Sequence, residues 1–121
     1  MAPPSIVSIE RFLLVTFHQE LDDADTEALQ VEVGTRVVAH AARGVVLDLS
    51  GLSVIDSYTG RVIAGLVQAT GLLGAPAIVV NMRPEVAITL VELGMALPGV
   101  PTARNVDLAL ALLRERSGRT S

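Results

Sequence analysis

Two short apolar runs, at residues 45–49 and 77–80, constrain the fold of this chain more than any other feature. Each is nearly continuous and bounded by turn residues, which is typical of a strand buried on both faces of a parallel sheet. Stretches with helical spacing of apolar residues lie before, between and after them. Because strands that alternate with helices form a central, mostly parallel sheet, the sequence predicts an α/β fold of four to five strands and about four helices.

The flanking segments complete the predicted order β-β-α-β-α-β-α-β-α. Residues 6–9 and 12–17 are expected to pair as strands, and a short last strand is expected within residues 97–101. Four helix starts are predicted: the acidic segment 21–27, Ser57, Pro84, and Asn105 or Asp107. We expect one domain over residues 5–113 and a loose tail over residues 114–121.

Each predicted helix has an apolar stripe that we expect to face the sheet. In chain order the stripes are Ala28, Val31, Thr35, Val38 and Ala42; Val62, Leu66, Ala69 and Leu73; Val86, Leu90 and Leu93, with Ala87 and Val91; and Leu108, Leu112 and Leu113. Gly44, Gly74 and Gly94 are expected to end the first three helices.

Composition excludes several classes of site. The 121 residues include no cysteine, which excludes disulfides, thiolate nucleophiles and cysteine-bound metals. All nine basic residues are arginine, which excludes Schiff bases and the lysine of a P-loop. The formal net charge is −4 and no basic stripe is visible, so we expect no nucleic-acid partner.

Residues 62–82 form the longest uncharged stretch, which raises the question of a membrane span. Gly71, Gly74 and Pro76 interrupt the stretch and divide it into helix, turn and strand. The N-terminus lacks the charged and apolar regions of a signal peptide. We therefore expect no membrane association and a cytoplasmic location.

The most informative segment is residues 54–61, which follows a buried strand and opens a helix. One interpretation makes Ser57 the N-cap, whose hydroxyl accepts from backbone N–H groups. A second makes Ser57 a phosphoacceptor, because a phosphate there would lie at the positive end of the helix. Arg61, about one turn later, could pair with that phosphate. The two interpretations are compatible.

The sequence contains few features that would support a catalytic site. The Gly-x-Ser-x-Gly pattern of a nucleophile elbow is absent around Ser57, and neither His18 nor His40 is placed to act as its base. We expect both histidines at the surface. The glycine patterns that bind nucleotide phosphates are also absent. We therefore expect no enzymatic activity and no cofactor.

Acidic residues are interpreted as structural. The cluster Asp22, Asp23, Asp25 and Glu27 lacks the pattern of a calcium loop and is expected to complement a helix dipole. Asp48, at the end of a strand, is expected to order the loop that follows. We expect no metal site.

These segments together resemble the STAS domain family, the fold of anti-sigma-factor antagonists. The resemblance rests on the strand at residues 45–49, its loop, and Ile-Asp-Ser at residues 55–57 before a helix. A more specific run, Asn-Met-Arg-Pro-Glu-Val-Ala-Ile-Thr-Leu-Val-Glu-Leu-Gly at residues 81–94, is similar to the stressosome branch. The resemblance covers roughly residues 5–113.

The resemblance implies a non-enzymatic signalling scaffold of the RsbS type. Such a scaffold holds an RsbT-like serine kinase and releases it when its serine, here Ser57, is phosphorylated; an RsbX-like phosphatase resets the serine. Thr89 lies in the region of a second acceptor of RsbR-type proteins, although helix packing is the alternative for it. The residues expected to bind partners are Asp56, Ser57, Tyr58, Thr59 and Arg61.

Such scaffolds assemble with RsbR-type STAS proteins that carry N-terminal sensor domains. The apolar composition, 50% hydrophobic residues, fits the buried interfaces of a homo- or hetero-oligomer. The alternative is a free anti-sigma-factor antagonist that binds an anti-sigma-factor kinase directly. A hydrolase or nucleotide-binding protein would need a base or a phosphate loop that the sequence lacks.

Overall fold

A computed structural model describes residues 5–18, 23–92 and 101–119, which contain a five-stranded sheet in the order β1-β2-β3-β4-β5. The first two strands are antiparallel and every other neighbouring pair is parallel. The elements are β1 (Ser5–Ile9), β2 (Phe12–Thr16), α1 (Asp23–Ala39), β3 (Gly44–Asp48), α2 (Ser57–Leu72), β4 (Ala77–Val80), α3 (Pro84–Glu92), β5 (Thr102–Ala103) and α4 (Val106–Arg119). The predicted α/β class and element order are confirmed, but the last strand, β5, follows the residues 97–101 in which it was expected.

The sheet separates two apolar cores, and the alternation of side chains along β3 shows why. Val45 and Leu47 point to one face, where they pack with the helices α1, α2 and α3. Val46 points to the other face, where it packs with its neighbour Ile78 of β4 and with Leu113 of α4. Every residue of β3 and β4 is buried, as expected for the central strands of a covered sheet.

The core-facing stripe predicted for α1 is wrong, because the helix carries apolar residues on two opposite sides. Its buried side chains are Leu29, Val33 and Val37, whereas Val31 is 70% exposed and Val38 is 67% exposed. The buried stripe contains the larger leucine, so it removes more apolar area from water than the alanine-rich stripe would. Sequence spacing alone does not distinguish the two stripes.

The stripes predicted for α2 and α3 are confirmed in part. Val62 and Leu66 of α2 are buried, but Leu73 at its end is 46% exposed. Val86 and Leu90 of α3 are buried, while Val91 is exposed. Ala69 is exposed too, and Leu93 lies outside the described residues.

Helix α4 differs from its prediction in which residues face the core and in where the helix ends. Leu113 is buried as predicted, together with Ala109 and Leu110, but Leu108 and Leu112 are 50% and 41% exposed. A Cβ atom on Gly44 would come 2.6 Å from Cδ2 of Leu113, so the glycine in β3 lets α4 approach closely. The helix continues to Arg119, and residues 114–119 are therefore helical where we expected a loose tail.

The helix ends are set by residues in the left-handed region. Ala41, with φ 48°, ends α1, and the N–H of Ala42 donates to the carbonyl of Val37 at 2.9 Å. The predicted stop at Gly44 is therefore wrong, since Gly44 already belongs to β3. Gly74, with φ 82°, follows the last residues of α2 as predicted. The predicted stop at Gly94 and the acidic residue Asp22 lie outside the described residues.

The remaining helix starts agree with the sequence. Pro84 is the first residue of α3, and the Asn105 side chain accepts from the N–H of Leu108 at 2.9 Å at the start of α4. Both His18 and His40 are exposed, as expected. Within the described residues, none of the helices has the length and apolar character needed to cross a membrane.

Candidate functional site

The candidate site lies at the carboxyl ends of β3 and β4, where α/β sheets commonly bind ligands or partners. The loop of residues 49–56 leads from β3 into α2, and residues 81–83 lead from β4 into α3. A guanidinium nitrogen of Arg83, Nη2, donates to the carbonyl of Ser50 at 3.2 Å and joins the two connections. This bond places the two connections next to each other at one edge of the sheet.

Asp48 ties both connections to the end of β3. Its Oδ1 atom accepts from the backbone N–H of Ser50 at 3.0 Å and from Nδ2 of Asn81 at 3.1 Å. Asn81 has φ 56°, in the left-handed region that asparagine tolerates better than most residues. Asp48 is 9% exposed, so these bonds satisfy a largely buried carboxylate. Its predicted role in ordering the loop is confirmed.

The rest of the loop is fixed by one close backbone approach and two buried side chains. A Cβ atom on Gly51 would lie 1.9 Å from the carbonyl oxygen of Phe17, so only glycine fits against the end of β2. Leu52 and Ile55 are buried in the core. Between them Ser53 is exposed and Val54 is 61% exposed, so the loop presents a surface on a fixed base.

Asp56, and not Ser57, is the N-cap of α2. Its side chain accepts from the N–H of Thr59 at 2.8 Å, and its backbone is extended with φ −101° and ψ 177°. Sequence analysis assigned this role to Ser57, which is the first helical residue. An aspartate caps as well as a serine and also brings a negative charge to the positive end of the helix. The bond from the Thr59 N–H lowers the pKa of Asp56 below its ordinary value, because it favours the ionised form.

The five residues predicted to bind partners differ in accessibility. Asp56 and Arg61 are exposed, while Ser57 and Tyr58 are half-buried, with Tyr58 packed against the core. Thr59 is only 2% exposed, so its side chain does not face a partner, which corrects its inclusion. The Ser57 hydroxyl has no hydrogen-bond partner within the described residues. The helical backbone places Arg61 one turn after Ser57.

The second candidate acceptor, Thr89, lies in the middle of α3. It is half-buried, and its hydroxyl donates to the carbonyl of Glu85, four residues earlier, at 2.9 Å. Such a bond is common for a threonine inside a helix. Its hydroxyl is therefore already engaged, unlike that of Ser57.

Sequence analysis missed the links that hold this site together. The sequence pointed to the turn at residues 81–84 as part of this edge, but gave no sign that Asn81 bonds to Asp48 or that Arg83 bonds to Ser50. A polar residue directly after a buried strand was the available signal. Among the described residues, no three His, Asp or Glu side chains come together as they would around a metal ion.

Comparison with known proteins agrees with this geometry. The family model described as the STAS domain matches residues 3–109. The RsbT co-antagonist protein RsbRA of Bacillus subtilis is 25% identical over 119 residues, which is 98% of this chain and 43% of that protein. The chain therefore spans less than half of that relative's length.

Two solved structures match over almost their whole length. A serine-to-glutamate variant of Moorella thermoacetica RsbS has a TM-score of 0.84 and 29% identity, covering 96% of this chain and 98% of the other. A chain from the molecular architecture of the stressosome, a signal integration and transduction hub, has a TM-score of 0.79 and 28% identity. That match covers 93% of this chain and 98% of the other.

Proposed function

This chain belongs to the STAS domain family, and on that basis we propose that it is a non-enzymatic scaffold of a stressosome, of the RsbS type. In this proposal the unphosphorylated scaffold holds an RsbT-like serine kinase over the loop of residues 49–56. Phosphorylation of Ser57 releases the kinase, and an RsbX-like phosphatase restores the serine. RsbR-type STAS proteins with sensor domains would be its partners in the assembly.

The observation that carries the proposal is the position of Ser57 as the first residue of α2. The residue is half-buried and its hydroxyl has no hydrogen-bond partner within the described residues, so its phosphorylation would break no hydrogen bond of that hydroxyl there. The surrounding loop is held by Asp48 and Gly51, and therefore presents the serine in a defined place. A fixed substrate loop reduces the entropy lost on docking.

Charge explains how phosphorylation would release a partner. A phosphate adds nearly two negative charges beside Asp56, which is ionised at neutral pH like any aspartate of ordinary or lowered pKa. The positive end of α2 and Arg61 offset part of this charge, so the fold tolerates the modification. A docked kinase surface complementary to the free serine would lose favourable contacts, and a loss of about 1.4 kcal/mol weakens a complex tenfold.

Intact-mass spectrometry with ATP and an RsbT-like kinase tests the acceptor. We compare the wild type with Ser57→Ala and with Ser53→Ala, a matched control at an exposed serine of the same loop. The expected result is one added phosphate on the wild type and on the control, and none on Ser57→Ala. Phosphate that persists on Ser57→Ala and disappears when Thr89→Ala is added would move the acceptor to α3. An unmodified wild type beside an active kinase would remove the switch.

Two binding measurements test the rest of the proposal. The kinase should bind Ser57→Ala as it binds the wild type and should bind Ser57→Asp at least about tenfold more weakly. Equal affinity for both variants would contradict release by charge. Gel filtration with an RsbR-type partner should give one very large complex. Its absence, together with binding to an anti-sigma-factor kinase, would favour the free antagonist.

A further inference from the structure

Three arginines that are distant in the sequence line one cleft at the opposite end of the sheet from Ser57. Arg11 lies in the turn between β1 and β2, Arg43 precedes β3, and Arg114 lies in the second half of α4. The cleft has a volume of about 510 Å³, and its other lining residues are Glu10, Phe12, Ser117 and Gly118. This cluster has no signature in the sequence, because the arginines belong to three different segments.

Hydrogen bonds connect the segments that carry the arginines. The backbone N–H of Arg43 donates to the carbonyl of Arg11 at 2.8 Å. Nε of Arg114 donates to the two carboxylate oxygens of Glu10 at 3.0 and 3.1 Å, and Nη2 of Arg114 also contacts that carboxylate. Nη1 of Arg43 lies 3.4 Å from the hydroxyl of Ser117. The cleft is thus assembled by contacts between the β1–β2 turn, the residue before β3 and α4 rather than by one segment.

The cleft carries an excess of positive charge in an acidic chain. Glu10 neutralises Arg114, but no salt bridge joins Arg11 or Arg43 to a carboxylate within the described residues. In the part of the chain that the structure describes, these two guanidinium groups therefore have no carboxylate partner, although the net charge of the protein is −4. Each guanidinium presents several N–H donors in a planar fork that matches phosphate oxygens. Such an arrangement is suited to an oxyanion with more than one negative charge.

We propose that this cleft binds a small ligand with two linked phosphoryl groups, of which inorganic pyrophosphate is the simplest. One phosphoryl group can pair with Arg43 and the other with Arg11 or the free edge of Arg114. The cleft volume falls in the range of small-molecule sites. Binding there leaves the Ser57 loop untouched, because the cleft lies at the amino ends of β2 and β3 and the serine follows their carboxyl ends.

Isothermal titration calorimetry with inorganic pyrophosphate at low salt tests the proposal. We expect saturable binding of one pyrophosphate to the wild type, and affinity reduced at least about tenfold in Arg43→Gln and in Arg11→Gln. Neither substitution removes the backbone bond between the two segments, so the fold should persist. Arg104→Gln, an exposed arginine outside the cleft, is the matched control and should bind like the wild type.

A parallel titration with inorganic phosphate separates a built site from general attraction of anions. The single phosphoryl group can pair with fewer guanidinium groups, so it should bind at least about tenfold more weakly than pyrophosphate. The proposal is overturned if the wild type shows no saturable binding, or if phosphate binds as well as pyrophosphate. An equal loss of affinity in Arg104→Gln and Arg43→Gln would overturn it too.

Discussion

The two ends of the sheet are held together by different kinds of bond. At the carboxyl end, the carboxylates of Asp48 and Asp56 accept from the backbone N–H groups of Ser50 and Thr59. At the amino end, the main side-chain link is the ion pair between Glu10 and Arg114, whose side chains are about half exposed. Both ends also have links of another kind, such as the backbone bond from Arg43 to Arg11 at the amino end. The difference is that the two carboxylates at the first end bond to backbone N–H groups, whereas the carboxylate at the second end pairs with a long charged side chain.

This difference separates two kinds of recognition. Bonds to backbone groups have defined geometry and persist at high salt, so the loop before Ser57 keeps one shape for a macromolecular partner. Exposed ion pairs contribute little to stability and are screened by salt, so the charged side chains of the arginine cleft can turn towards a small anion while the backbone bond from Arg43 to Arg11 holds their segments. Substitutions at the carboxyl end should therefore cost far more stability than those at the amino end.

The largest effect is expected at Gly51, where the loop backbone passes against the end of β2. In Gly51→Ala the new methyl group would meet the Phe17 carbonyl at 1.9 Å and the backbone of His18 at 2.7 Å. Backbone atoms cannot move aside as a side-chain end can, so we expect a loss of about 3 kcal/mol in the free energy of unfolding. Urea denaturation measures it.

Gly71→Ala is the matched control, because a methyl group at this position of α2 meets nothing within 4 Å. Alanine is the better helix former, and we expect a gain of about 0.5 kcal/mol. Equal stability of the two variants would mean that the loop moves away from β2 at little cost. The carboxyl end would then be no more rigid than the amino end.

The second effect concerns the carboxylate that joins the two connections. Asp48→Ala removes the acceptor for Ser50 and Asn81, and we expect a loss of about 2 kcal/mol in unfolding free energy. Asp48→Asn keeps one carbonyl acceptor and should lose less than half as much. If the two variants lose the same amount in urea denaturation, the charge and not the hydrogen bonding of Asp48 orders the loop.

The order of the elements was predictable because strands and helices leave different periodicities. The buried runs that became β3 and β4, and the capped starts of α3 and α4, carried that signal in neighbouring residues. The exposed and buried stripes of α1 were not separable, because both recur at helical spacing and only tertiary contacts decide between them. The order of the elements can be predicted from neighbouring residues, whereas the face that a helix turns to the core depends on contacts with distant residues.

The candidate site, too, was predictable only where its residues are neighbours in the chain. Ser57 was found because strand, loop and helix start are adjacent in the chain, although the cap moved by one residue to Asp56. The bond from Asn81 to Asp48 spans 33 residues, and the contact of Arg114 with Glu10 spans 104. Contacts of that range have no periodicity in the sequence, so the arginine cleft was visible only in the structure.

The smallest effects come from two carboxylates whose pKa values are lowered for different reasons. The pKa of Asp56 is lowered mainly by the N–H of Thr59, and that of Glu10 mainly by the hydrogen bond from Arg114. In an NMR titration of both carboxyl groups, we expect both pKa values to lie below their ordinary values at low salt. At 1 M salt the pKa of Glu10 should rise towards its ordinary value, while that of Asp56 should stay low.

The same carboxylates give the pH dependence of stability a definite sign. When folding lowers the pKa of a carboxyl group, the unfolded chain binds the proton more readily than the folded chain. The group therefore stabilises the fold at pH values above its unfolded pKa. This stabilisation is lost as the pH falls through its folded pKa. Asp56→Ala should therefore be destabilised relative to the wild type at neutral pH, and this difference in unfolding free energy should shrink as the pH falls below about 4.

Glu10→Gln should show a smaller difference in unfolding free energy, of the same sign, that disappears at 1 M salt. A salt-sensitive Asp56 would mean that its charge, rather than its bond to the backbone, holds the start of α2, and the two ends of the sheet would then be stabilised in the same way.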